Sequence, residues 1–144
     1  MFEAVGERFW PAYFAQLLDR LKPGGRAAVQ VITIDDSLFD RYRRGADFVQ
    51  RYVFPGGMLP APSVFRARAV ACGLQVRHEF RFGPDYARTL ARWAARFNEM
   101  QAAIRVQGFG EDFMRLWRFY LAYCEAGFRA GSTDVYQFTL QHST

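Results

Sequence analysis

Residues 21–34 read LKPGGRAAVQVITI, and the architecture is decided there. Pro23 cannot continue a helix, and Gly24 and Gly25 supply turn conformations, so a helix ends near Leu21. The stretch Arg26–Ile34 that follows is β-branched and almost continuously apolar. That is the pattern of a strand buried on both faces of a parallel sheet. Upstream, Phe9, Trp10, Tyr13, Phe14, Leu17, Leu18 and Leu21 recur at spacings of three and four, which predicts a helix over residues 7–21 with Pro11 in its first turn. Helix, glycine turn and buried strand in this order predict one half of a doubly wound α/β sheet.

Downstream, Asp35 and Asp36 end the strand and a short helix is expected over residues 37–44. Turn residues follow at Phe54-Pro55-Gly56-Gly57 and Pro60-Ala61-Pro62. Ser63 reads as the N-cap of a helix through Val70 that ends near Gly73. Residues 74–82, LQVRHEFRF, alternate, which puts Leu74, Val76, His78, Phe80 and Phe82 on one side of a half-exposed strand. From Tyr86, the positions Leu90, Trp93, Phe97, Met100 and Ile104 predict one long amphipathic helix. Gly108 and Gly110 break it. A second helix presents Phe113, Leu116, Trp117, Tyr120, Leu121, Cys124 and Phe128 on a matching face and is closed by Gly131. Residues 134–141, DVYQFTLQ, form a last strand.

The 144 residues are 51% hydrophobic and 17% aromatic, enough for one buried core and too apolar for a disordered tail. One globular unit over residues 1–144 is expected, with a helical insertion at about 85–130. The formal charge is +5, and Lys22 is the sole lysine among the basic residues. Such a surface attracts anionic partners, phospholipid headgroups included. Arg41, Arg43 and Arg44 are interleaved with Asp35, Asp36, Asp40 and Asp47, which argues against a nucleic-acid arm. There is no apolar run of about 18 residues and no apolar signal core among the first ten. Cys72 and Cys124 lack metal or disulfide spacing, His78 and His142 have no partner in the pattern, and no metal site is predicted. A reducing cytoplasm fits.

The segment LKPGG, lying between a helix and a buried strand, is similar to the turn before the fifth strand of class I methyltransferases. Five further segments carry a narrower likeness: MFEAVG at 1–6, ITIDD at 32–36, YVFPGGMLP at 52–60, FGPDYARTL at 82–90 and RFYLAYCEAGFRAG at 118–131. Together they resemble cyclopropane-fatty-acyl-phospholipid synthases and the related mycolic acid cyclopropane synthases. The resemblance covers nearly the whole chain. It implies a Rossmann-like sheet of which the last three strands are present, with two helices forming a roof over an acyl-chain site. It also implies transfer of the methyl group of S-adenosylmethionine to a cis double bond of a phospholipid acyl chain, bicarbonate taking up the proton as the ring closes.

Residue by residue, the resemblance assigns Glu3, in the F-E-x-x-G motif, and Tyr86, in the G-x-x-Y motif, to a bicarbonate site. Ile32 lines that site through its backbone. Gln30 stands where many relatives carry a bicarbonate-binding histidine; glutamine donates a hydrogen bond but holds no charge. Cys124 aligns with a family cysteine near the site, while its spacing alone reads as a small apolar core residue. Trp93, Phe97, Trp117 and Tyr120 are core by periodicity, and facing aromatic helices also suit an acyl chain.

Class I methyltransferases bind their cofactor chiefly through a glycine-rich turn after the first strand and an acidic residue on the ribose. Neither occurs here, so the S-adenosylmethionine-binding half is expected N-terminal to this chain and the piece alone is expected to be inactive. An unpaired edge on the 26–34 strand is expected to favour self-association, and a peripheral position at the inner membrane face is expected from the lipid substrate. Two other functions stay open: a small-molecule N- or C-methyltransferase of the same superfamily, and a noncatalytic lipid- or partner-binding module.

Overall fold

A computed structural model describes residues 2–142, so Met1 of the MFEAVG segment lies outside the described residues. The chain opens with two short 3-10 turns, Phe2–Val5 and Glu7–Phe9, before α1, Trp10–Arg20. The predicted helix therefore starts later than its apolar stripe, because Pro11 fits only the first turn of an α-helix. Strand β1, Arg26–Ile34, follows the Lys22-Pro23-Gly24-Gly25 turn as predicted. A 3-10 turn at Asp36–Leu38 leads into α2, Phe39–Arg43, and then α3, Phe48–Tyr52. The second of these was not predicted. Its N-terminus is a reciprocal capping box: Asp47 accepts from Gln50 N–H, and Gln50 Oε1 accepts from Asp47 N–H.

Helix α4 spans Pro62–Ala71, with Ala61 at the N-cap and Pro62 inside the first turn. Ser63 is thus not the cap. Its N–H and hydroxyl both donate to Asp36 Oδ1, a carboxylate brought in from across the fold. Strand β2 is Leu74–Arg81, and α5 is Gly83–Glu99. The long helix predicted through Ile104 bends at Met100 into a short α6, Gln101–Val106, while the bonds Met100 N–H to Arg96 O and Ile104 N–H to Met100 O carry the ladder across. Helix α7, Glu111–Ala130, ends on Gly131 at φ 71°, a left-handed closure, and β3 is Thr133–His142.

The sheet order is β1-β3-β2, with both pairs antiparallel, so β1 and β2 run parallel to each other with the last strand between them. The expected α/β class with three strands is borne out, β1 having β3 as its antiparallel neighbour. What the structure corrects is the expected burial on both faces: Val29 and Val31 are buried, whereas Ala28 and Gln30, facing the other way, are exposed. On the buried face, Val29, Val31, Tyr136, Phe138 and Leu140 pack against Trp10 and Phe14 of α1 and Phe65 and Ala69 of α4. Phe65 stacks on Phe138 at 4.2 Å between ring centroids. Burying one such ring contributes about 1.5–3 kcal/mol. On the opposite face, α5 and α7 cover only one end of the sheet, around Ile32 and Val135.

Strand β2 departs from its predicted alternation. A register shift between Val76 and His78 sets Val76 opposite Leu140, yet His78 opposite Thr139 and Phe80 opposite Gln137. The bulged residue turns the pleat over. Leu74 and Val76 therefore join the main core, while His78 and Phe80, 53% exposed, stand on the other face.

Candidate active site

Glu3 is placed by its neighbour. Phe2, 1% exposed, is held among the rings of Trp10, Tyr13, Phe14 and Phe65. That anchor fixes the 3-10 turn against the outer edge of β1, where Glu3 Oε1 accepts the Ile32 backbone N–H at 2.5 Å. Met58 N–H donates to the Glu3 carbonyl at 2.7 Å, closing the turn from the side of the 52–60 segment. Burial pushes the Tyr13 hydroxyl above its usual pKa, and the negative charge of Glu3 adds to the shift.

Tyr86 lies in the first turn of α5. Its start is set by Asp134, whose Oδ1 accepts Gly83 N–H at 2.8 Å while Oδ2 takes Arg81 at 2.7 Å. The Tyr86 ring packs edge-on against Phe82 and against Phe128 of α7, at 5.6 and 5.4 Å between centroids. Its hydroxyl oxygen accepts from Gln30 Nε2 at 2.7 Å. Gln30 and Ile32 are two residues apart on β1, so the Glu3–Ile32 and Tyr86–Gln30 pairs are neighbours along one strand, about 7 Å apart by strand rise. The four residues assigned by resemblance thus form two hydrogen-bonded pairs, two residues apart along β1.

One partner was missed. Gln137 Nε2 donates to Gln30 Oε1 at 3.0 Å. In the sequence Gln137 is only a polar position in an alternating strand; nothing there reveals what stands opposite.

Beyond Tyr86, Trp93, Phe97, Trp117 and Tyr120 line one groove between α5 and α7, together with Arg96, Met100, Ile104 and Leu121, enclosing about 380 Å³. Aromatic contacts run along it from Phe109 through Phe113 and Trp117 to Tyr120. Cys124 is not in the lining. It packs one turn further along α7, hydrogen-bonded to Tyr120, and burial pushes its thiol up to about 11, so it is protonated at neutral pH. A larger, shallow hollow of about 590 Å³, lined by Phe48, Arg115 and Phe119 among others, touches none of the site residues. Among the described residues, no helix is long and apolar enough to cross a membrane.

The sequence that builds this arrangement matches a known protein family over nearly its whole length. The family model described as mycolic acid cyclopropane synthetase matches residues 1–138. The chain belongs to that family. Among relatives, it is 43% identical over 141 residues to the tuberculostearic acid methyltransferase UfaA1 of Mycobacterium tuberculosis, a match covering 97% of this chain and 33% of that protein. It is 31% identical over 137 residues to the cyclopropane-fatty-acyl-phospholipid synthase of Escherichia coli K12, covering 95% of this chain and 34% of the synthase. Its fold superposes on that of the cyclopropane synthase MmaA2 from Mycobacterium tuberculosis with a TM-score of 0.85 and 29% identity, covering 97% of this chain and 52% of the other. The chain spans about a third of the length of these two curated relatives.

Proposed function

We propose that the protein carrying this chain transfers the methyl group of S-adenosylmethionine to a cis double bond of an unsaturated phospholipid acyl chain, with ring closure to a cyclopropane. The observation that carries this is the pair of side-chain contacts on β1, Glu3 to Ile32 and Gln30 to Tyr86, together with an aromatic groove of about 380 Å³ formed by α5, which also carries Tyr86, and α7. Methyl transfer leaves a cation on the acyl chain, and loss of a proton from the added carbon closes the ring. Such a step needs a weak base in a site kept dry.

The side chains suit bicarbonate as that base. Tyr86 has its hydroxyl hydrogen free, because its oxygen already accepts from Gln30, and the second Nε2 hydrogen of Gln30 is a further donor. Glu3 can accept the bicarbonate O–H. Bicarbonate, when bound, supplies the acceptor for the proton released on closure. The groove residues Trp93, Phe97, Trp117 and Tyr120 hold the acyl chain by apolar contact.

The described residues do not fit S-adenosylmethionine. Gly83, at the junction of β2 and α5, gives its N–H to Asp134 rather than to a ligand. The cofactor is therefore assigned to the remainder of a longer enzyme, and the chain alone is inactive. We assign the lipid to a bilayer that the enzyme visits from the cytoplasmic side. The outer edge of β1 ahead of Ile32 pairs with the rest of the enzyme, or, in its absence, with a second copy; from that point on the Ile32 and Ile34 N–H groups already donate to Glu3 and Pro60.

A second outcome of the same first step is supported by the 43% identical relative, which is a methyltransferase by name. Loss of the proton from a neighbouring carbon leaves a branched alkene instead of a ring. The test is incubation of the full-length enzyme with S-adenosylmethionine and phospholipid of defined unsaturation. The expected product is an acyl chain heavier by one CH2, with cyclopropane protons in its NMR spectrum. Methylation of a small amine and none of the lipid overturns the proposal.

A further inference from the structure

We infer that Gln137 is a positioning residue: it fixes the direction of the Gln30 amide, and so turns Tyr86 into a hydrogen-bond donor toward the site. The inference rests on the function proposed above and adds a residue to its machinery.

The sheet register brings the two glutamines together. Gln30 is paired with Gln137 across β1 and β3. The bonds His142 N–H to Gly25 O and Asp35 N–H to Ser132 O show that the odd-numbered residues of this part of the chain exchange backbone bonds with β3. Even-numbered positions are then non-hydrogen-bonded pairs, the closer kind, where opposing side chains meet. Gln30 and Gln137 form such a pair on the face that α5 and α7 leave uncovered.

Direction follows from the chemistry of the amide. A glutamine has a donor end and an acceptor end, and a half-turn about its last torsion exchanges them. Gln137 Nε2 donates to Gln30 Oε1, which leaves Gln30 Nε2 to point at Tyr86 Oη. The tyrosine oxygen is then an acceptor for Gln30, and its own hydrogen is directed elsewhere. With the Gln30 amide reversed, the Tyr86 hydroxyl donates to Gln30 Oε1 instead and is lost to any bound anion.

The test uses Gln137→Glu, nearly isosteric on an exposed strand position, and Gln137→Leu. In the unsubstituted protein, the Gln30 side-chain NH2 gives nuclear Overhauser contacts to the Tyr86 ring. With the carboxylate, these contacts move to residue 137 and return on acidification through about pH 4, where the new carboxyl regains a hydrogen to donate. With leucine they weaken, as the amide samples both directions. In the full-length enzyme, kcat falls about tenfold in both variants, less than the roughly 10²–10³-fold of removing a catalytic donor outright because Tyr86 is kept, while KM for lipid is unchanged because Gln137 is not in the groove.

Contacts identical in all three forms overturn the inference, and so does a reversed amide with undiminished kcat. A role confined to strand stability moves neither the amide direction nor its acid recovery. If the unsubstituted enzyme methylates no lipid, the proposed function fails, while the amide contacts still decide whether Gln137 sets the direction of Gln30.

Discussion

The resemblance sets Gln30 against a histidine in related synthases, and the two side chains differ in that only histidine can charge near neutrality. The amide of Gln30 is held between Gln137 and Tyr86, donating to one and accepting from the other, with no titration between pH 5 and 8. Gln30→His is therefore expected to introduce a pH dependence. As pH falls through about 6.5, the imidazole becomes cationic and binds the anion more tightly. The bicarbonate concentration giving half-maximal turnover should then drop severalfold below pH 6.5 in the variant and stay level in the parent. Equal profiles for both would show that residue 30 does not face the anion. Glu3, Ile32 and Tyr86 could be singled out because short motifs carry them, and Gln30 because it lies two residues before Ile32 on the same strand; the structure shows their hydrogen bonds. Gln137 could not be singled out, since its role depends on a register joining positions 107 residues apart.

At the scale of the element, Asp134 joins three segments. It accepts from Arg81 at the end of β2, from Gly83 at the start of α5 and from Val135 in β3. This clamp sets where α5 begins, and with it the height of Tyr86. A Cβ added at Gly83 would lie 2.6 Å from Asp134 Oδ1. Gly83→Ala is expected to cost about 1–3 kcal/mol, the usual range for overpacking combined with a disturbed hydrogen bond. Urea denaturation measures it, and a loss below 0.5 kcal/mol, in round terms the noise of surface substitutions, would show that the carboxylate moves aside freely.

The periodicity of α1, α5 and α7 was readable because each buries one continuous stripe. That of β2 misled, because one extra residue between Val76 and His78 reverses which side chains face the core. The capping box of α3 was written in the sequence as Asp47-x-x-Gln50, but no apolar run followed it to draw notice.

For the molecule as a whole, several acidic protons are held by burial. Burial pushes the Tyr42 and Tyr120 hydroxyls up to about 12, and that of Tyr123 likewise. The Cys124 thiol rises to about 11 for the same reason. In each case the folded pKa exceeds the unfolded one, so the stabilisation is fully present below the unfolded value, 9.0 for the thiol and 10.0 for the tyrosines, and is lost as pH rises through about 11 and about 12 respectively. Urea midpoints should be level between pH 7 and 9 and fall steeply above 10. Replacing Tyr42 and Tyr120 together by phenylalanine should flatten that fall; an unchanged slope would locate the alkaline transition elsewhere. The sheet order was hidden from the sequence for a geometric reason, since runs of apolar residues announce strands and not their neighbours.

That order has a consequence for how the protein is made. The middle strand is the last of the three along the sequence, and β1 and β2 touch each other only through it. A nascent chain on the ribosome can form its helices early, yet β1 and β2 stay unjoined until β3 has left the exit tunnel. The Gln137–Gln30–Tyr86 line is assembled in that same closing step, so a translation product that stops short of β3 never carries it.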